Sequence, residues 1–132
     1  MDIAAILGGS RTIAVVGLSD KPERPSYQVA DYLMKNGYRI IPVNPNIVTW
    51  EGIKAYPSLS EIREKVDVVD IFRKSEDVAP IVDQAIAVGA KVVWMQLGVI
   101  NEEAAGRARA AGLAVVMDRC MKIEHMKLRD KK

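Results

Sequence analysis

The chain has 132 residues, of which 49% are hydrophobic and 27% are charged, a composition that fits a single domain over residues 1–132 with its own core. The 19 basic and 17 acidic residues leave a net charge of +2, which is too small to indicate an electrostatic nucleic-acid binder. No apolar run approaches the roughly 20 residues of a transmembrane helix, and one cysteine forms no internal disulfide, so we expect a cytoplasmic protein with neither nucleic acid nor membrane among its partners.

Five short apolar runs alternate with helix-like segments along the chain. The runs predict strands at Thr12 to Val16, Tyr38 to Val43, Val66 to Phe72, Lys91 to Leu97 and Leu113 to Met117. The spacing of apolar residues and caps predicts helices at Asp2 to Leu7, from an N-cap at Ser26 to Gly37, from a cap at Ser75 to Gly89, at Glu102 to Ala111 and at Met121 to Leu128. Residues Ile47 to Pro57 follow no period and predict an irregular connection.

Strands that alternate with helices of about ten residues favour parallel pairing through right-handed crossovers. We therefore expect an α/β fold, a Rossmann-like five-stranded parallel sheet with helices on both faces. Sequential winding predicts the strand order 3-2-1-4-5. That order places the switch point between the first and fourth strands, with a ligand over Gly17 and Gln96 to Gly98.

The segment from Ile13 to Tyr27 is the most informative stretch, because an apolar strand ends at a glycine and a polar loop then leads into a helix. This order is typical of a phosphate-binding strand-loop-helix unit, in which helix amides and nearby cations hold the anion. The groups suited to phosphate are one glycine, two hydroxyls and two cations: Gly17, Ser19, Ser26, Lys21 and Arg24. Each cation taken alone has a second interpretation, as a solvated loop charge.

Two common nucleotide-binding motifs are absent from this loop. A dinucleotide fingerprint requires glycines spaced G-x-G-x-x-G and an acidic residue at the end of the second strand, where this chain has Asn44. A P-loop requires Gly-Lys-Ser or Gly-Lys-Thr, and neither follows a glycine at the right spacing. The sequence therefore disfavours simple NAD binding and P-loop chemistry, while it still favours a phosphate-bearing ligand.

Five segments, in order, resemble the small stand-alone CoA-binding domain proteins: GLSDKPERPSY from Gly17, VNPN from Val43, VDIFR from Val69, WMQLGV from Trp94 and DRCMKIEH from Asp118. Those proteins resemble in turn the N-terminal domain of the succinyl-CoA synthetase alpha chain. The resemblance spans nearly the whole chain. It implies a Rossmann-like nucleotide-binding domain whose cofactor is coenzyme A or an acyl-CoA, with an acyl-CoA enzyme as a candidate partner.

The resemblance also implies which residues bind the cofactor. Contacts to the CoA phosphates and the pantetheine arm are implied for Gly17, Leu18, Ser19, Lys21, Arg24, Pro25, Ser26 and Tyr27. The adenosine end is implied to contact Asn44, Pro45 and Asn46, and the adenine wall comprises Ile71, Phe72 and Arg73. The pantetheine route is implied to run along Gln96, Leu97, Gly98 and Val99. From the residues alone, Phe72 is equally a core side chain, and Gln96 equally satisfies buried backbone groups.

Catalysis and a metal site are not predicted. Cys120 and His125 are the only residues of their types and lie five positions apart, a spacing that does not bring two side chains of a helix together. One histidine supports neither a metal cluster nor a Ser-His-Asp triad. The phosphorylated histidine of succinyl-CoA synthetase belongs to a later domain outside the resemblance, so that activity is not implied.

Cys120 has two interpretations. It is either a small buried apolar residue or a reactive thiol beside Arg119 and Lys122 that forms a mixed disulfide with CoA or responds to oxidation.

Three classes of function remain open. The first is a non-catalytic module that binds CoA as a carrier, a sensor or a partner of an acyl-CoA enzyme. The second is a nucleotide-dependent enzyme or synthetase subunit, for which Asp118, Glu124 and His125 are the candidate acids and bases. The third is an NAD(H)-sensing regulatory domain. The sequence predicts no oligomeric state.

Overall fold

The predicted strands form one parallel sheet in the computed structural model, which describes residues 2–131. The strands in chain order are β1 (Thr12–Val16), β2 (Arg39–Val43), β3 (Thr49–Trp50), β4 (Ile53–Lys54), β5 (Val68–Ile71), β6 (Val92–Met95) and β7 (Ala114–Val116). β3 and β4 pair as an antiparallel hairpin, so the expectation of an irregular connection over Ile47 to Pro57 is wrong. Met1 and Lys132 lie outside the described residues, and a single domain over residues 1–132 stays a prediction.

The sheet has the order β2-β1-β5-β6-β7, and every neighbouring pair is parallel. Numbered by the five predicted strands, this order is 2-1-3-4-5, so the predicted order 3-2-1-4-5 is wrong. The outer edge of β2 is occupied by the chain that leaves the hairpin. Tyr56 donates its amide to the carbonyl of Pro42 at 2.9 Å and accepts the amide of Asn44 at 2.9 Å. No free edge is therefore left there for the third strand.

The third strand pairs instead with the free edge of β1, and Asp67 ties the two strands together where they begin. Its carboxylate accepts the backbone amides of Arg11 and Thr12 at 2.9 and 3.0 Å. Burial opposes ionisation of Asp67, but these two amides and the charge of Lys91 outweigh it and lower the pKa of the carboxyl. The switch point consequently lies between β1 and β5, not between the first and fourth strands.

Helices cover both faces of the sheet. They are α1 (Ile3–Gly9), α2 (Pro25–Lys35), α3 (Val78–Ala87), α4 (Glu102–Ala110) and α5 (Met121–Asp130). The buried side chains of α1, α2 and α5 pack on one face of the sheet, and those of α3 and α4 pack on the other. The expected Rossmann-like sheet with helices on both faces is confirmed. Within residues 2–131, no helix is long and apolar enough to cross a membrane.

Two of the predicted helix caps are wrong. α2 begins at Pro25, whose ring presets the helical φ, so Arg24 takes the N-cap position and Ser26 lies inside the first turn. Ser75 opens a short 3₁₀ turn, Ser75–Asp77, that precedes α3. Its hydroxyl accepts the amide of Ile100 at 2.9 Å instead of capping the helix. Ser75 thus joins the loop after β5 to the loop after β6.

Asp70 lies in the middle of β5 with its side chain fully buried. It stands in register between Val15 of β1 and Trp94 of β6, on the sheet face covered by α1, α2 and α5. Among the described residues, neither carboxylate oxygen has a hydrogen-bond partner. Burial raises the pKa of Asp70 well above its ordinary value, because burial favours the neutral form of the carboxyl over the charged form.

Candidate functional site

The loop after β1 is shaped by a glycine that touches the neighbouring loop. Gly17 has φ +87, and a Cβ at this position would overlap the carbonyl oxygen of Phe72 and lie 3.2 Å from its carbonyl carbon. Only glycine combines this backbone conformation with this approach. The loops after β1 and β5 therefore begin in direct contact at the switch point.

The remainder of the β1 loop is held by side chains. Ser26 accepts the amide of Ser19 at 2.9 Å, and the hydroxyl of Ser19 accepts the amide of Lys21 at 3.1 Å. From the β2 side, Asn44 donates its side-chain amide to the carbonyl of Leu18 at 2.9 Å. These bonds fix a loop that ends at the uncapped N-terminus of α2, where the first backbone amides and the positive end of the helix dipole face outward.

Four cations surround the space above this switch point. Lys21 and Arg24 come from the β1 loop, and Arg73 and Lys74 come from the loop after β5. All four residues are exposed, and none of them forms an ion pair within residues 2–131. Cations gathered without carboxylate partners create a positive field that attracts an anion.

The far side of the same space is built from the loops after β6 and β7. Gln96 is 5% exposed, and its side-chain oxygen accepts the amide of Met121, the first residue of α5, at 3.1 Å. The Oε1 of Gln96 therefore satisfies a buried backbone group, which is one of the two interpretations given for this residue from the sequence. Leu97 beside it is 61% exposed, and Cys120 is half-buried.

These loops enclose an open cavity of about 800 Å³ at the carboxyl ends of the strands. Its walls include twelve of the residues singled out from the sequence: Gly17, Ser19, Lys21, Arg24, Pro25, Ser26, Phe72, Arg73, Gln96, Leu97, Val99 and Cys120. Sequence reasoning missed three others: Val29, Lys74 and Asp77. Val29 is one turn beyond Ser26 on α2, Lys74 follows Arg73 directly, and Asp77 lies four positions after Arg73, so continuing each segment by one turn would have found them.

Seven of the implied contact residues do not line the cavity: Leu18, Tyr27, Asn44, Pro45, Asn46, Ile71 and Gly98. Leu18 and Ile71 are fully buried as whole residues, so neither presents a surface to a ligand. Tyr27 packs edge-on against Trp50 with 5.1 Å between ring centroids. Asn44 uses both ends of its amide inside the protein, since its oxygen accepts the amide of Asn46 at 2.8 Å. The role of these residues as ligand contacts stays a prediction.

The candidate acids and bases lie outside the cavity walls. The carboxylate of Asp118 accepts the amide of Gly98 at 2.7 Å, and the carboxylate of Glu124 forms an ion pair with the Nζ of Lys127 at 3.2 Å. The Nδ1 of His125 lies 2.7 Å from the hydroxyl of Tyr32, between α2 and α5. Within the described part of the chain, no group of three His, Cys, Asp or Glu side chains is placed to hold a metal ion.

Comparison with known proteins identifies the family. Residues 11–126 match the family described as CoA binding domain. YneT of Bacillus subtilis (strain 168), an uncharacterized protein, is 44% identical over 124 residues, which cover 94% of this chain and 92% of that protein. The structure of a hypothetical protein from Pyrococcus horikoshii OT3 has a TM-score of 0.94 at 46% identity, and covers 97% of this chain and 90% of its own.

A longer relative carries a related segment. The ADP-forming acetate–CoA ligase II of Archaeoglobus fulgidus is 30% identical over 83 residues, which are 61% of this chain but 12% of the ligase. The resemblance inferred from the five sequence segments is thus confirmed. This chain belongs to the CoA binding domain family.

Proposed function

We propose that this domain binds coenzyme A or an acyl-CoA in the cavity at the switch point, as a carrier or sensor module without catalysis of its own. The observation that carries the proposal is the cluster of four cations beside the open N-terminus of α2, which form no ion pair with any residue from 2 to 131: Lys21, Arg24, Arg73 and Lys74. CoA bears several phosphates, and both features favour phosphate. The family match and the cavity at the carboxyl ends of the strands support the same ligand.

The two sides of the cavity differ in character, which favours one orientation of the ligand. The cations come from the loops after β1 and β5, so we place the phosphates there, with Ser19 between them. The side formed by Leu97, Val99 and Cys120 is apolar and suits the pantetheine arm. The adenosine is assigned to the outer end near Asn44 to Asn46.

The direct test is a calorimetric titration of the purified protein with CoA, acetyl-CoA, ATP and NAD(H) under reducing conditions. We expect saturable binding of CoA or acetyl-CoA in the micromolar range and much weaker binding of NAD(H). Binding of NAD(H) without CoA would overturn the proposal and favour an NAD(H)-sensing domain. Turnover of ATP with CoA and a carboxylate would instead indicate a synthetase subunit, the kind of protein named in the Archaeoglobus relative.

The anchor residues are tested by truncation. Each phosphate contact is charge-assisted and worth about 1.5 to 3 kcal/mol, so Arg24→Ala or Arg73→Ala is expected to weaken CoA at least about tenfold. Arg109→Ala, an exposed arginine of α4 away from the cavity, is the matched control and is expected to bind CoA like the wild type. Unchanged affinity in both cavity variants would mean that the anchors are misassigned.

Cys120 lines the apolar side of the cavity, and we propose that its thiol forms a mixed disulfide there. The Cys120 thiolate attacks one sulfur of CoA disulfide, forms a Cys120–CoA disulfide and releases CoA thiolate, so the disulfide itself is the oxidant. Intact-mass measurement is expected to show one CoA adduct in the wild type and none in Cys120→Ala. Arg73→Ala is expected to slow the reaction with CoA disulfide but not with hydroxyethyl disulfide. Equal slowing, or no adduct, would contradict this role.

A partner enzyme follows from the same proposal. A module that binds CoA without turnover requires an acyl-CoA enzyme to supply or consume the ligand. The Archaeoglobus ligase carries a related segment within a longer chain, which supports such a pairing. The cytoplasmic compartment stays a prediction from the single cysteine.

A further inference from the structure

The loop after β6 is held by hydrogen bonds from both neighbouring loops. From the β7 side, the carboxylate of Asp118 accepts the amide of Gly98 at 2.7 Å. From the β5 side, Ser75 accepts the amide of Ile100 at 2.9 Å. Leu97, the residue before Gly98 in this loop, is 61% exposed and forms part of the cavity wall. The position of Leu97 is therefore set by groups that do not themselves line the cavity.

Asp118 has a backbone conformation that is unusual for a residue other than glycine. Its φ is +59, and it is one of two non-glycine residues with positive φ within residues 2–131. Aspartate tolerates this left-handed conformation better than most side chains, yet it is still costly. The conformation aims the carboxylate at the Gly98 amide, and the chain then returns so that the amide of Arg119 reaches the carbonyl of Met95 at 3.3 Å.

The next residue, Cys120, lies in the cavity wall. Two side chains thus link the loops that form the apolar side of the cavity: Asp118, and Gln96 through the amide of Met121. A short bond from an amide to a carboxylate is stronger than one between neutral groups, so this link is a firm one.

We propose that Asp118 is a positioning residue for the pantetheine arm: through the Gly98 amide it holds the loop of Leu97 against the segment of Cys120 and so fixes the apolar side of the cavity. This inference rests on the proposed binding of CoA. It assigns Asp118 a role other than acid or base, because the carboxylate acts through backbone and not on the ligand. The phosphate side is built from the loops after β1 and β5, and within residues 2–131 the side chain of Asp118 bonds to the Gly98 amide and not to those two loops.

Two substitutions separate the hydrogen bond from the backbone conformation. Asp118→Gly accepts positive φ without strain but removes the acceptor, whereas Asp118→Asn tolerates the same φ and keeps an amide oxygen in its place. The probes are CoA and the adenosine bisphosphate half of CoA, which lacks the pantetheine arm. Hydrogen exchange of the Gly98 amide reports the link itself in the absence of ligand.

Asp118→Gly is expected to bind CoA about tenfold more weakly, to bind the bisphosphate half like the wild type and to lose protection at the Gly98 amide. Asp118→Asn is expected to keep most of the affinity and the protection. Unchanged CoA affinity in Asp118→Gly, equal losses for CoA and the bisphosphate half, or the same loss in both variants would each overturn the positioning role. Failure of the wild type to bind CoA would instead overturn the proposed function, and this inference with it.

Discussion

Asp70→Asn is expected to be about as stable as the wild type near pH 4 and more stable at neutral pH, with a difference that grows as the pH rises. The reason is the fully buried carboxyl of Asp70, for which the described structure provides no hydrogen-bond partner and whose pKa burial raises well above the ordinary value. An amide of the same size cannot ionise, so it removes the pH dependence while it keeps the shape of the side chain.

The sign follows from proton binding. Above the ordinary aspartate pKa of about 4, the unfolded chain loses this proton, whereas the folded chain keeps it. Unfolding then releases a proton, so the free energy of unfolding falls by up to about 1.4 kcal/mol per pH unit until the folded carboxyl also ionises. Asp67 acts in the opposite sense, because its lowered pKa contributes stability that is lost as the pH falls. Its contribution is common to both proteins and cancels in their difference.

Urea unfolding of both proteins between pH 4.5 and 8 measures this difference, with buffers matched in ionic strength. Asp20→Asn, in an exposed loop, is the control and is expected to show no growing difference. Asp70→Val, which removes the polar group, is expected to be more stable than the wild type by about 1 to 3 kcal/mol near pH 4.5, with a margin that grows with pH as it does for Asp70→Asn. A constant difference for Asp70→Asn, or a loss of stability at neutral pH, would show that Asp70 is ionised and paired.

The strands and helices were predictable because the residues that each segment buries recur at the spacing of a strand or a helix. All five sheet strands are short apolar runs, and their core side chains are buried whichever neighbours they pair with. Their order was not predictable in the same way, because it depends on which sheet edge is free. Two contacts between distant segments decide that order: Tyr56 pairs with the edge of β2, and Asp67 accepts the amides at the start of β1.

The site was predictable to the level of loops but not of every side chain. Each segment that resembles the family ends a strand, so most of the inferred residues meet at one edge of the sheet. Ile71 and Phe72, however, are consecutive in an extended chain and point to opposite faces. Phe72 lines the cavity, and Ile71 enters the core beside α3 and α4. The alternation of side chains along a strand predicts this difference, whereas the family resemblance assigns both residues to the site.

Gly17→Ala is expected to destabilise the protein by about 3 kcal/mol and to weaken CoA binding as well. Alanine at positive φ is costly by about 1 kcal/mol, and the added methyl group would overlap the carbonyl oxygen of Phe72, which belongs to the backbone and cannot turn aside. Relief requires the loops after β1 and β5 to separate. Those loops carry Lys21 and Arg24 on one side and Arg73 on the other, so the separation moves the proposed phosphate anchors apart.

The matched control is Gly112→Ala, because Gly112 has φ +92 but no atom within 4 Å of an added Cβ. Alanine at this position has the unfavourable backbone conformation without the overlap, and the position is far from the cavity. We therefore expect the free energy of unfolding to fall by about 1 kcal/mol and the CoA affinity to stay unchanged. Urea unfolding and calorimetry of the two variants measure both effects. If the two substitutions prove equally destabilising, the approach of Gly17 to Phe72 is not a close one. If Gly17→Ala loses stability but binds CoA normally, the spacing of these two loops does not control the phosphate side of the cavity.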